Sequence, residues 1–390
     1  MKDKFLKKLF IVLFVIFVSV AGAWAFSFRN MTLDFIHISD THIANRPDTS
    51  YKAIGSSHLL LKDAIEQINL MKGLDFVFFT GDMVDEGQDE YFDIYYRLLS
   101  KLKYPSLNTI GNHELYGNRT KDEVIEIFKK YNPNYIFDKT YYAFSPKTDF
   151  RIIALDATIE NVNNAVGAIS DEQLQFLDNE LAQHQDKVIL IGMHHAPIQP
   201  FVANDHAILN ADKINEILIK YKNPIIVVSG HYHATKIRRI GNIVYVSTPS
   251  MVTYPMAFRH IKITNFKDRV KYEFDFIPTR LEDIKEKNRQ GVLSYAILEG
   301  DEKDRKISFT YIKKHPKSLR YKRNQIKKVN KQTETTEKEI EKLNKPTKKE
   351  LKEKKREEKI QKTQSKQEKT KKEGIFSKIF KKKELTPQEI

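Results

Sequence analysis

From residue 33 to residue 276 the chain alternates short, largely apolar runs with amphipathic segments, and the spacing of the apolar positions separates the two kinds. The runs at 33–39, 76–80, 106–110, 188–193 and 225–229 are too short for buried helices and predict strands, those at 188–193 and 225–229 buried. Segments 57–71, 90–102, 121–131, 170–183 and 211–221 repeat their apolar residues with a helical period and predict helices between those strands. The fourth opens on Ser170-Asp171-Glu172-Gln173, whose serine can cap the first turn. Residues 141–145 and 151–155 read as paired strands. Past 229 the character changes: 236–240, 243–247, 260–264 and 271–276 read as four consecutive antiparallel strands, and 294–298 with 307–312 as a last hairpin on the same body. Alternation of strand and helix that ends in hairpins predicts an α/β layered sandwich with the helices outside.

Both ends leave that pattern. Lys2, Lys4, Lys7 and Lys8 precede a charge-free run, 9–28, whose 20 residues are enough to cross a bilayer as a helix. Ala21-Gly22-Ala23 and Ala23-Trp24-Ala25 offer small-residue cleavage sites, so a removable signal peptide and a retained membrane anchor are both open readings. Either one places the chain beyond residue 28 outside the cytoplasm. Residues 313–390 are rich in Lys, Glu, Gln and Thr and nearly free of apolar side chains, which predicts a disordered tail. Within it, Ile375, Phe376, Ile379 and Phe380 stand at helical spacing among lysines. That island is a candidate contact with an anionic membrane or polymer, or else a plain disordered end. The expected organisation is therefore a membrane segment at 1–28, a folded body at 29–312 and a basic tail at 313–390.

Charge changes the picture once it is divided along the chain. The net charge is +15, yet residues 313–390 hold 28 Lys/Arg against 12 Asp/Glu, and the remainder nets −1. Residues 29–312, with 34 basic and 38 acidic groups, make a poor electrostatic footprint for a duplex, which argues against a nucleic-acid partner. The chain has no cysteine, so disulfides, thiolate-held zinc, iron–sulfur clusters and a cysteine nucleophile are excluded.

The chemistry lies at the strand ends. Asp40 and His42 follow the first strand, Asp82 and Asp85 the second, Asn112 and His113 the third. His194 and His195 follow 188–193, and His231 and His233 follow 225–229. In open α/β sheets the carboxyl ends of the strands are where ligands bind. One Asp-x-His means nothing; five strand ends that each deliver a carboxylate, imidazole or amide point to one site. Such donors suit two borderline metal ions about 3.5–4 Å apart that share a carboxylate and acidify a water between them. Gly81, Gly111 and Gly230 allow the sharp turns that bring the backbone close.

The blocks Asp40-x-His42, Gly81-Asp82-x-x-Asp85, Gly111-Asn112-His113-Glu114, His194 and Gly230-His231-x-His233, in that order, resemble the calcineurin-like metallophosphoesterases across about residues 33–276, and their bacterial phosphodiesterase branch most. The resemblance implies a four-layer α/β/β/α sandwich and a pair of divalent or trivalent ions such as Mn, Fe or Zn. It assigns Asp40, His42, Asp82 and His233 to one ion, and Asp82, Asn112, His194 and His231 to the other, with Asp82 as the bridge. It further implies attack by a metal-bridging hydroxide in line on phosphorus. His113 would contact the phosphate or protonate the leaving oxygen, with the Asp85 carboxylate orienting its ring. Two departures narrow the branch. Asp85 stands where purple relatives carry a metal-bound tyrosine, and Glu86 where protein Ser/Thr phosphatases carry a phosphate-gripping arginine.

The expected function is thus a membrane-tethered or secreted phosphohydrolase acting on a small phosphate ester, monoester or diester. A nuclease of the same fold, and a protein that binds a membrane or polyanion through its tail, stand as alternatives. Among other residues, His195 competes with His194 as ligand, and His37 reads as a packed core residue. Asn204, Asp205 and His206 read as a polar surface loop, with the substrate cleft as the alternative. Asp156 reads as a turn or cap, and His58, His184, His260 and His315 as structural or exposed.

Overall fold

The computed structural model describes residues 31–133, 135–292, 295–313 and 317–343. The first half of the chain supplies strands β1 (Thr32–Ile38), β2 (Phe76–Thr80), β3 (Ser106–Thr109), β4 (Tyr142–Lys147), β5 (Phe150–Ala154) and β6 (Val188–Gly192). The second supplies β7 (Ile225–Ser229), β8 (Lys236–Ile240), β9 (Ile243–Ser247), β10 (Ala257–Asn265), β11 (Arg269–Pro278) and β12 (Ile307–Ile312). They form two mixed six-stranded sheets, ordered β12-β11-β10-β1-β2-β3 and β4-β5-β6-β7-β9-β8. The helices are α1 (Ser57–Leu70), α2 (Asp89–Leu99), α3 (Lys121–Tyr131), α4 (Asp171–Gln183), α5 (Ala211–Lys220), α6 (Glu282–Gly291), α7 (Tyr295–Glu299), α8 (Glu302–Arg305) and α9 (Leu319–Leu343).

Three apolar layers explain why these strands stack as they do. Phe35, Phe76 and Phe78 of the first sheet meet Ile152, Leu190, Val228 and Val246 of the second between the sheets. The alternate residues face outward. Ile36, Val77 and Phe79 pack under α1, α2 and α3 through Leu61, Phe92 and Phe128. Ile189, Ile191 and Val227 pack under α4 and α5 through Leu177 and Leu218. A strand buried on both faces must be apolar at every position, and β2, β6 and β7 are fully buried along their length. The result is the expected helix–sheet–sheet–helix sandwich. Two helix starts follow the local code. Ser170 accepts from the Gln173 amide, and Thr120 accepts from Glu123 while the Glu123 carboxylate reaches back to the Thr120 amide.

Three expectations are corrected. The four strands read as consecutive belong to different sheets: β8 and β9 close the second sheet, with β9 parallel to β7, whereas β10 crosses back to pair antiparallel with β1. Residues 295–298 are helical, in α7, and β12 pairs with β11. Gly300, at φ 68°, donates its amide to the Ala296 carbonyl, so a left-handed cap ends a helical turn there. The folded body also continues past 313. Lys322, Ile326 and Val329 fall on one face of α9; the two apolar residues pack against the α4–α5 layer. The buried Lys322 ammonium donates to the Ile219 and Tyr221 carbonyls (3.0 and 2.8 Å) at the end of α5. A lysine can bury its stem and cap a helix terminus at once, so a basic composition concealed a docked helix. Among the described residues no helix is long and apolar enough to cross a membrane. The predicted membrane segment at 1–28 and the island at 374–383 lie outside the described residues.

Candidate metal centre

β1, β2 and β3 run parallel in one sheet, as do β5, β6, β7 and β9 in the other, so each group ends on one edge. The loops beyond those ends are zipped together. His42 donates its amide to the Asp82 carbonyl (2.9 Å), and Gly230 to that of His194 (3.0 Å). The sheets are joined across the site by the His231 amide on the Asp40 carboxylate (3.0 Å) and the Met251 amide on the Asp40 carbonyl (3.2 Å). Asp40, His42, Asp82, His231 and His233 all adopt the left-handed region, at φ 54, 40, 50, 70 and 54°. For a residue with a Cβ this conformation stores strain of about 1 kcal/mol or more, and it is expected where function over-determines the backbone. Gly111 is needed for close approach, because a Cβ there would strike the Asp82 carboxylate and amide.

The side chains form two donor groups that meet at Asp82. Around the first, His42 Nε2 lies 3.3 Å from His233 Nε2, 3.6 Å from Asp82 Oδ2 and 3.9 Å from Asp40 Oδ1, and His233 Nε2 lies 3.3 Å from Asp40 Oδ1. In the second, His194 Nε2 lies 3.2 Å from Asp82 Oδ1 and 3.0 Å from His231 Nδ1. One aspartate thus turns one oxygen to each group. Asn112 Oδ1 is buried without a hydrogen-bond partner, while its amide nitrogen donates to the Tyr116 hydroxyl at 2.7 Å. Carboxylates, imidazoles and an orphan amide oxygen, with imidazole nitrogens about 3 Å apart, suit cations rather than a packed apolar core. Asp40, His42 and His233 form one set of metal-ligand type, and Asp82, His194 and His231 another.

The free imidazole nitrogens are steadied from behind. His194 Nδ1 faces the Thr80 carbonyl (2.7 Å), His231 Nε2 the Ala165 carbonyl (2.8 Å), and His233 Nδ1 the Thr253 hydroxyl (2.8 Å). Burial, with help from Lys52, keeps His42 well below the usual imidazole range; burial and His195 do the same for His231. Burial also disfavours a charged His194, but Asp82 beside it outweighs this and lifts it to about 9. Burial opposes ionisation of Asp82 too, yet His194 and His113 hold its carboxyl well below the usual range. Burial takes His113 down to about 3, against the pull of Asp82.

His113 stands beside the first group, its Nε2 3.8 Å from Asp82 Oδ2, and its Nδ1 meets the Asp85 main-chain oxygen at 2.6 Å. The Asp85 carboxylate, expected on His113, is farther from that nitrogen, at 3.5 Å, and reaches His42 Nδ1 at 3.0 Å instead. Sequence reasoning missed four neighbours. Glu114, fully buried, accepts from the amides of Gly111 (2.6 Å), Asp82 (2.9 Å) and Val84 (3.0 Å), which pins the turn that aims Asp82; its place beside Asn112 and His113 was the available signal. Burial and Asp82 push Glu114 up to about 8. Arg46, Lys52 and Thr253 carry no motif and come close only through folding; burial pushes Lys52 down to about 8. His195 is buried, its ring 4.2 Å from that of His231 and both its nitrogens without a hydrogen-bond partner. His37 sits in the core between Thr80 and Thr248, as expected. His206 lines the cleft, its ring 5.1 Å from that of His231. Asp156 caps a turn by accepting from the Thr158 amide, and His260 pairs with Asp34; His315 lies outside the described residues.

A double α/β sandwich whose strand ends gather two carboxylate–imidazole groups around one shared aspartate defines a metallohydrolase. The chain belongs to the calcineurin-like phosphoesterase family, whose model matches residues 33–235. It is accordingly a metal-dependent hydrolase of phosphate esters. It is 26% identical over 221 residues to a probable glycerophosphodiester phosphodiesterase of Arcobacter nitrofigilis, covering 55% of this chain and 77% of that one. It is 28% identical over 226 residues to a manganese-dependent ADP-ribose/CDP-alcohol diphosphatase of Arabidopsis thaliana, covering 46% and 71%. A dimetal phosphatase from Danio rerio superposes with a TM-score of 0.52 at 19% identity, over 63% of this chain and 99% of that one, which is a likeness of fold.

Proposed function

We propose that the protein is a two-metal phosphodiesterase of small-molecule substrates that works outside the cytoplasm. The observation that carries the reading is Asp82, whose two oxygens face two separate histidine groups at the floor of an open cleft. Asp40, His42, Asp82 and His233 would hold one cation, and Asp82, Asn112, His194 and His231 the other. When bound, such a pair neutralises phosphoryl charge and acidifies a water for attack in line.

The remaining steps belong to the chain. The Asp85 carbonyl at 2.6 Å fixes a hydrogen on His113 Nδ1, and burial keeps the ring neutral, so Nε2 is a free base and must first take up a proton before it can pass one to a leaving alcohol. The cleft, of about 410 Å³, is lined by residues of both donor groups, among them Asp82, His231 and His233. Phe201, Ala203, Tyr232 and Leu298 form an apolar wall beside His231; Arg46 and Lys52, next to Asp85, form a polar one with Tyr51. Two dissimilar walls have room for two ester substituents, and the glycerophosphodiester phosphodiesterase among the relatives supports a diester. Placement outside the cytoplasm draws on the four lysines ahead of the charge-free run at 9–28.

Full-length protein supplied with Mn²⁺ should cleave bis-p-nitrophenyl phosphate faster than p-nitrophenyl phosphate. Two bound metals with no turnover of either ester would overturn the reading, and faster monoester turnover would overturn the diester preference.

A further inference from the structure

The Asp85 carboxylate is fully buried, and its surroundings do not match service to His113. The His113 Nδ1 hydrogen has a nearer acceptor, the Asp85 carbonyl at 2.6 Å against 3.5 Å for the carboxylate. The carboxylate instead lies 3.0 Å from His42 Nδ1, pairs with Arg46 through its other oxygen, and has Lys52 Nζ at 3.8 Å. His42 turns Nε2 towards Asp40, Asp82 and His233, where a ligand needs its lone pair. The hydrogen must then be on Nδ1, where it needs an acceptor. Lys52, 3.5 Å from that nitrogen, is an ammonium with no lone pair to offer; the nearest acceptor is the Asp85 carboxylate, whose two oxygens are buried without a hydrogen-bond partner, so that a small turn of the His42 ring completes the bond.

We infer that the Asp85 carboxylate is a positioning residue for His42, and through it for the first metal, while the His113 ring makes its hydrogen bond with the Asp85 main chain. A carboxylate behind a histidine ligand fixes the tautomer and strengthens the nitrogen as a donor. A buried carboxylate needs compensating charge, and Arg46 and Lys52 supply it. The inference rests on the reading that His42 holds a metal. It separates two tasks that the family pattern would merge: Asp85 governs how tightly one cation is held and leaves proton delivery untouched.

The test is calorimetric titration of metal-stripped full-length protein with Mn²⁺. It is paired with turnover of two phosphodiesters, one leaving p-nitrophenol and one leaving a simple alcohol that needs a proton. Asp85→Ala should keep two sites but weaken one by about 100-fold, and Asp85→Asn, which keeps the shape and an acceptor oxygen, by about 10-fold. Turnover of both esters should fall by the same factor and return when Mn²⁺ is raised. His113→Ala should instead bind both ions as the wild type does and lose mainly the alkyl ester. If Asp85→Asn binds both ions with wild-type affinity and loses only the alkyl ester, the carboxylate serves His113 and the inference fails. If the wild type itself binds fewer than two Mn²⁺, the two-metal reading fails first.

Discussion

The two halves of the proposed centre are built from similar side chains but held by different means. His42 and His233 are backed by side chains, Asp85 and Thr253. His194 and His231 are backed by the main-chain oxygens of Thr80 and Ala165. A main-chain carbonyl, whether at the end of β2 like that of Thr80 or in the loop after β5 like that of Ala165, survives any substitution of its own side chain. A carboxylate or hydroxyl can be altered by one codon. The second half is therefore hard-wired, and the first is the half whose metal affinity a sequence can tune. Asp82 couples them, and Glu114 fixes the turn on which it stands.

The largest expected effect erases the comparison. Asp82→Ala removes the shared ligand, so both ions should be lost together, with turnover down by about a thousand-fold or more. Elemental analysis of the purified variant checks this; one ion retained at full occupancy would show that the halves are independent. Next comes metal removal. With metals stripped, the buried carboxylates of Asp40 and Asp82 repel one another across the site. Each cation present at about 100 times its dissociation constant adds about 2.7 kcal/mol. Chelation should therefore lower the melting temperature by about 5 °C or more. Two separable losses during the chelator titration, the first assigned to the Asp85 half, would sharpen the comparison.

Much of this was legible before any coordinates, and the reasons are specific. β2, β6 and β7 are apolar at nearly every position, which only strands buried on both faces require, and their ends carry the motif residues directly. Partner choice was not legible. β10 alternates apolar and polar residues, and that pattern suits either sheet, so the crossing between β9 and β10 could not be read. α9 was hidden because its buried face is one lysine, one isoleucine and one valine in a segment otherwise charged. At the site, motif spacing placed the residues but could not say which atom of Asp85 meets His113. That depends on a turn in which Asp85 offers its carbonyl one way and its carboxylate another.

A smaller effect tests the exception within the second half. Asn112 has its orphan oxygen turned by a side chain, through the 2.7 Å bond to the Tyr116 hydroxyl. Tyr116→Phe frees that amide to rotate, and should weaken the second Mn²⁺ site about 10-fold with the first unchanged. Unchanged affinity at both sites would mean that the sheet edge alone orients Asn112.

The smallest effect draws the line between the two kinds of support most finely. Thr253→Val keeps the volume of the residue behind His233 and removes only the hydroxyl, 2.8 Å from Nδ1. The imidazole then has a buried nitrogen with no partner, which costs about 1–3 kcal/mol unless the ring turns. A turning ring draws Nε2 away from Asp40, so the variant should weaken the first Mn²⁺ site by about 5- to 10-fold, less than Asp85→Ala, because a neutral hydroxyl polarises the ring less than a carboxylate. Ala165→Gly is the matched change in the other half. It alters the side chain of the residue whose carbonyl meets His231 and leaves the carbonyl itself, so the second site should titrate as in the wild type. A loss at the second site as large as that from Thr253→Val would mean that main-chain support there is soft, and the contrast between the halves would collapse.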